Sequence, residues 1–220
     1  MDERDSIRVL NQTPGPVITI SREHGCDAMY LADHLMDMLQ GEHSIKKHPW
    51  RCINKEILSE ASKELHVSIK KITIAMDTRQ ELIVQDIFSS FTHHYGVTNK
   101  NILDTIKDVL KSYCNEGKVI IVGRGGALIA RDIESSLHIK LQAPFEWRVM
   151  QIQAKYGLST EEARSQCVEM DEKRSIWNKQ LAKDGLSNSN YDVVINSQTI
   201  STPLMIELLT PLIKSRKIIH

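Results

Sequence analysis

The sequence predicts one α/β domain built on an open, parallel, five-stranded sheet. Three observations carry that expectation. Short continuous apolar runs, such as VITI at 17–20 and KVIIV at 118–122, read as strands buried on both faces. Amphipathic helices with apolar residues three and four apart alternate with those runs. The first run leads through a polar, glycine-containing turn at 21–27 into a helix, the order of elements in a phosphate-binding loop.

The helix after that turn carries Ala28, Leu31, Ala32, Leu35, Met36 and Leu39 at helical spacing. Asp27 is read either as its N-cap or as a carboxylate standing where a phosphate would bind. A polar loop at 41–49 follows, then a short, less certain strand at 50–53 and a helix from Asn54 over 55–66, with Ile57, Leu58, Ala61 and Leu65 on one side. Ser68 and Asp77 are expected to open two more helices, the second carrying Leu82, Ile83, Ile87, Phe88 and Phe91. His93 and His94 fall in an aperiodic connection at 93–100 and read as loop residues. Ile102, Ile106, Val109, Leu110 and Tyr113 give another helix, closed by Gly117.

Strands and helices then alternate. The run at 118–122 ends in Gly123, Arg124, Gly125 and Gly126. A strand at 137–143 precedes Pro144, expected in the first turn of a helix that buries Phe145, Val149, Ile152 and Tyr156 before Gly157 ends it. Ser159 and Glu162 form a capping box for a long helix through 170–181. The last strand is expected at 191–197, and after Ser201 comes a helix with Met205, Leu208, Leu209 and Leu212.

With 220 residues, 41% hydrophobic and 25% charged, the chain has the makeup of one globular domain. A net formal charge of zero gives no general basic field for nucleic acid or anionic membrane. No apolar run reaches the roughly 20 residues of a membrane helix, and the N-terminal residues resemble no secretory leader. Cys26, Cys52, Cys114 and Cys167 are dispersed, as in a reducing cytosol, so a cytoplasmic protein is expected. His43, His48 and Cys52 match no standard metal-ligand spacing and read as loop, and no metal site is expected.

Ligands of open parallel sheets bind beyond the carboxyl ends of the strands. The residues there are Ser21, Arg22, Glu23, His24, Gly25, Cys26 and Asp27 after the first strand, Arg124 among glycines after the third, and Asn196 and Ser197 after the last. Arginine forks suit phosphate oxygens. Arg124 is the stronger candidate, and Arg22 reads equally well as structural. Cys26 is read as an apolar filler or as a thiol activated by the helix N-terminus. The segment Asp171, Glu172, Lys173, Arg174, followed by Trp177, Asn178, Lys179 and Lys183, is either a solvated face with an Asp171–Arg174 pair or a lid closing on the strand ends.

VITISREHG at 17–25, KEIL at 55–58, IVGRGG at 121–126, APFEWRV at 143–149, GLSTEEA at 157–163, DEKR at 171–174 and YDVVINS at 191–197, in this order, resemble the cytidylate kinase-like family of P-loop kinases. The resemblance implies a three-layer P-loop kinase-like fold in a single domain over 1–220: a flexible N-terminus at 1–16, a helical acceptor-binding insertion at 55–117 and a lid at 168–190. It implies phosphoryl transfer from ATP, with Mg²⁺, to a nucleoside monophosphate such as CMP. Arg22, His24, Gly25, Cys26, Asp27, Ala28, Met29 and Tyr30 would hold donor phosphates, Arg124 and Gly125 the acceptor, and Lys173 and Arg174 would act as lid cations in catalysis. Arg148 would lie beside the nucleotide. The chain departs from the family at the loop: the pattern S-R-E-x-G-S-G-G followed by a basic residue is here Gly25, Cys26, Asp27, Ala28 and Met29. The standard G-x-x-x-x-G-K-[ST] loop is absent too. A catalytically impaired protein that keeps the fold and binds nucleotide or a partner is therefore the alternative reading.

Overall fold

A computed structural model describes residues 14–41, 49–54, 56–70, 72–73, 99–182 and 185–219. Its sheet has five parallel strands: β1 (Val17–Arg22), β2 (Arg51–Ile53), β3 (Val119–Val122), β4 (Ser136–Gln142) and β5 (Val193–Asn196). The order β2-β3-β1-β4-β5 puts β1 in the centre, where Val17, Ile18 and Ile20 are fully buried. This is the fold class read from the apolar runs, including the less certain strand at 50–53.

Helices cover both faces. They are α1 (Ala28–Gln40), α2 (Glu56–Leu65), α3 (Asn99–Glu116), the single turn α4 (Gly126–Ile129), α5 (Phe145–Tyr156), α6 (Thr160–Leu181) and α7 (Thr202–Ser215). Side chains alternate across a strand, so one face of β1 and β3 presents Ile18, Ile20, Ile120 and Val122 to Leu31, Leu35, Leu209 and Ile213 of α1 and α7. The other presents Val17, Val119 and Ile121 to Ile57, Ala61, Ile102, Ile106 and Leu110 of α2 and α3. Trp177, near the end of α6, joins this second cluster. A third cluster, Val149, Ile152, Ala163 and Cys167, binds α5 to α6.

The local signals act as read in most places. Asp27 caps α1 by accepting the Tyr30 N–H at 3.2 Å, Gly157 ends α5 in the left-handed conformation, and the Ser159–Glu162 box opens α6. Three details differ. Pro144 is the N-cap of α5 rather than a first-turn residue, its ψ of 140° being extended. Tyr156 is 53% exposed, because α6 packs on the earlier turns of α5 through Val149 and Ile152. In α7 the buried stripe runs through Met205, Leu209 and Ile213, leaving Leu208 and Leu212 outside.

Lys55, Asp77, Leu82, Ile83, Ile87, Phe88, Phe91, His93 and His94 lie outside the described residues, as do His43, His48 and Lys183. Ser68 precedes helical residues at 69–70 and 72–73. All four cysteines are free thiols. Among the described residues no helix is long and apolar enough to cross a membrane.

Candidate functional site

Two cavities open at the carboxyl ends of the strands. The first, about 260 Å³, lies between the loops after β1 and β3 and the C-terminal half of α6. Ser21, Arg22 and Glu23 come from β1 and its loop, Gly123, Arg124 and Gly125 from the turn after β3, and Lys140 from β4. Helix α6 contributes Asp171, Arg174, Ser175, Trp177, Asn178 and Lys179. Five cations and two carboxylates therefore line one small space.

Arg22, Arg124 and Arg174 converge there from three separate elements. Burial pushes the Arg22 guanidinium down to about 10, and the positive charges of Arg174 and Arg124 push the same way. The Arg174 guanidinium is also lowered, chiefly by burial, against the support of Asp171. Close approach depends on the glycines. The Arg22 guanidinium lies where a Cβ on Gly123 would stand, and Leu181 occupies the place of a Cβ on Gly125. Both glycines have positive φ, +77° and +72°, so the turn that presents Arg124 suits residues without side chains.

The second cavity, about 450 Å³, lies on the α5 side of the β1 loop. His24, Gly25, Cys26, Asp27, Ala28 and Met29 line it together with Lys155, Tyr156, Arg22 and Arg174. Tyr30 lines neither cavity; its ring sits 4.3 Å from that of His34. In this loop several backbone N–H groups already have acceptors. Glu23 donates to Leu141 O, His24 to Asp171 Oδ1 at 2.7 Å, Cys26 to Glu23 O, Ala28 to Cys26 O and Tyr30 to Asp27 Oδ1. A phosphate cradle needs such groups free and pointing at the ligand. Gly25, with φ +98°, packs against α5: a Cβ there would meet the Arg148 Cβ at 2.8 Å.

Arg148 locks this arrangement from behind. Only 7% exposed, it pairs with Glu23 at 3.3 Å and with Asp171 at 2.6 Å. It also donates to the carbonyls of Ala143 and His24. Asp171 in turn accepts from Arg174 at 3.0 Å. One carboxylate on α6 thus joins the loop, α5 and the cavity arginine, and the expected Asp171–Arg174 pair is part of a larger network. His24 sits beside it with Nδ1 3.5 Å from the Arg174 guanidinium, so the proton lies on Nε2, which has no acceptor among the described residues. Burial, then Arg174, pushes this imidazole down to about 4. Burial pushes the Cys26 thiol up to about 11, which fits an apolar filler rather than an activated thiolate.

Among the sequence candidates, the structure brings Arg22, Arg124, Gly125 and Arg174 into one cavity. Lys173 is not among its lining residues and pairs with Glu169 at 2.9 Å, one turn back on α6. Lys155, which sequence reasoning missed, reaches Asp27 at 3.3 Å across 128 residues of chain. Only a fold can supply that contact.

The positions after the loop do not fit a magnesium site. Ala28 and Met29 provide no hydroxyl or carboxylate corresponding to a loop Ser/Thr, the phenol of Tyr30 belongs to a side chain that lines neither cavity, and Asp27 is engaged with the Tyr30 N–H and Lys155. Among the described residues no group of three His, Cys, Asp or Glu side chains is placed to hold a metal ion.

Comparison with known proteins agrees with the architecture. An uncharacterized protein from Eubacterium ventriosum aligns at a TM-score of 0.65 and 16% identity, over 90% of this chain and 98% of that one. Shikimate kinase from Bacteroides thetaiotaomicron aligns over 88% and 98% at 11% identity and a TM-score of 0.45, too distant to argue from. Uronate isomerase from Corynebacterium glutamicum is 29% identical over 125 residues, 56% of this chain and 24% of that protein. The chain thus spans about a quarter of the length of that curated relative. The model of the cytidylate kinase-like family matches residues 17–199, nearly the whole of the sheet and its helices, and the chain belongs to that family.

Proposed function

We propose that this kinase-like protein binds a nucleoside monophosphate of the cytidylate class in the strand-end cavity and transfers phosphoryl groups from ATP poorly. One observation carries the reading: Arg22, Arg124 and Arg174 line the same space, where burial first, and then the charges of Arg174 and Arg124, push the Arg22 guanidinium down to about 10. Repulsion among buried cations is unfavourable, and a phosphate dianion relieves it while accepting the planar forks. The reacting part of a monophosphate would thus sit against the β1 and β3 loops, with the nucleoside extending along α6.

Poor transfer follows from the β1 loop. It has no lysine, Met29 standing at the family's basic position, and much of its amide array is already bonded within the chain. Loss of one preorganised donor lowers kcat on the order of a hundredfold or more. A second reading, an active kinase that uses ATP and magnesium, is favoured by Lys155, whose ammonium lies over the loop beside Asp27.

A thermal-shift panel of nucleoside monophosphates and ATP, with and without magnesium, tests the reading when paired with an ADP-release assay on the same sample. Stabilisation by CMP with slow or undetectable ADP release is expected. Rapid, CMP-dependent ADP release favours the second reading, and no response to any nucleotide contradicts both.

A further inference from the structure

The strand-end cavity contains a donor that neither the sequence motifs nor the arginines account for. Trp177 is 5% exposed, its ring belongs to the apolar cluster under β3, and it lines the cavity. Its indole N–H finds no hydrogen-bond acceptor among the described residues. An unmet buried donor costs about 1–3 kcal/mol, so most buried polar groups in folded proteins are paired.

The position of the nitrogen says what would meet it. Nε1 lies 3.6 Å from where Gly125 would carry a Cβ, directly beside the turn that presents Arg124. Trp177 stands three residues after Arg174 on α6, on the same face of the helix. An indole N–H donates only, and it cannot lose its proton in the pH range of proteins. Its neighbours in the cavity are the cations Arg22, Arg124 and Arg174, which would repel a cationic ligand group and attract an anionic oxygen.

We infer that Trp177 is a ligand-binding residue whose indole N–H donates to an oxygen of the phosphate group held by Arg22, Arg124 and Arg174. The inference rests on the phosphate reading of this cavity and adds to it a neutral, directional donor. Arginines attract a phosphate over a broad range of approach. A rigid indole fixed in the core donates along one direction and so sets the orientation of the ester.

Two measurements on the full chain test this. In ¹H–¹⁵N spectra the three tryptophans, Trp50, Trp147 and Trp177, give separate indole signals, assignable with Trp50→Phe and Trp147→Phe. Titration with CMP, and separately with inorganic phosphate, should move the Trp177 Nε1–H signal downfield, whereas cytidine should not. In calorimetry Trp177→Phe, which keeps an aromatic ring in the core, should weaken CMP and phosphate by roughly tenfold or more, the scale of one hydrogen bond to a charged group. Wild-type protein that binds CMP with an unmoved Trp177 indole overturns the inference and leaves the cavity reading standing. A shift caused equally by cytidine overturns it too, since the acceptor is then on the nucleoside. Failure of the wild type to bind CMP or phosphate overturns both. The spectra need no Trp177 variant, so poor folding of Trp177→Phe does not remove the test.

Discussion

His24 shows how a residue's role depends on neighbours that the sequence places far away. In the chain it is one of two histidine-or-cysteine positions in a polar turn; in the fold it lies within a ring of guanidinium groups. Its pKa of about 4 stands below the ordinary 6.5, so the unfolded chain takes up a proton more readily than the folded one. The stabilising effect of a neutral His24 is therefore complete above about pH 6.5 and is lost as pH falls toward 4. Melting temperatures of wild type and His24→Gln between pH 4 and 7 check this: the wild type should lose more stability on acidification. The place of Arg124, by contrast, was legible from sequence, because a Gly-Arg-Gly turn straight after a buried strand puts it at the strand end, where it lines the cavity. Arg148 was not, since its meaning lies in Glu23 and Asp171, 125 and 23 residues away and on different elements.

At the scale of elements, α6 explains why Arg174 and Lys173 part company. Successive residues of a helix point about 100° apart; the cavity side of α6 is centred near Asp171 and Asn178 and takes in Arg174 and Ser175, while Lys173 lies on the opposite side. Asp171, Arg174 and Trp177, three apart, share the inward face, and Lys173 turns to Glu169. The strands were legible because both faces of β1 and β3 are buried and read as unbroken apolar runs; β2 was harder, being three residues long and paired only with β3. Packing of the β1 loop on α5 was not legible, because Gly25 reads equally as a phosphate-loop glycine. Its φ of +98° and the 2.8 Å approach to Arg148 predict that Gly25→Ala destabilises the fold by about 2 kcal/mol or more. Gly157, in the ordinary left-handed conformation at φ +66° and ψ 28° with nothing within 4 Å of an added Cβ, serves as the control, and Gly157→Ala should cost about 1 kcal/mol. Urea denaturation of the two variants compares these costs; equal losses would mean that the contact with α5 contributes nothing.

For the molecule as a whole, strand order decides where chemistry can occur. With β1 between β3 and β4, the loops after β1 and β3 emerge side by side, and α6 crosses above them. That arrangement places two arginine-bearing turns against one helix and makes a cation-rich cavity from residues more than 100 positions apart. The same arrangement brings Asp171 onto the loop amide of His24. Under the proposed function, family membership and catalysis separate: the sheet and the cavity arginines Arg22, Arg124 and Arg174 would hold the monophosphate, while the β1 loop would transfer phosphoryl groups poorly. Calorimetric titration of CMP and of cytidine into the wild-type protein tests that account most directly. It predicts saturable binding of CMP, with cytidine weaker by on the order of a hundredfold because it offers the three arginines no phosphate. Equal affinity for the two, or no binding of either, would contradict it.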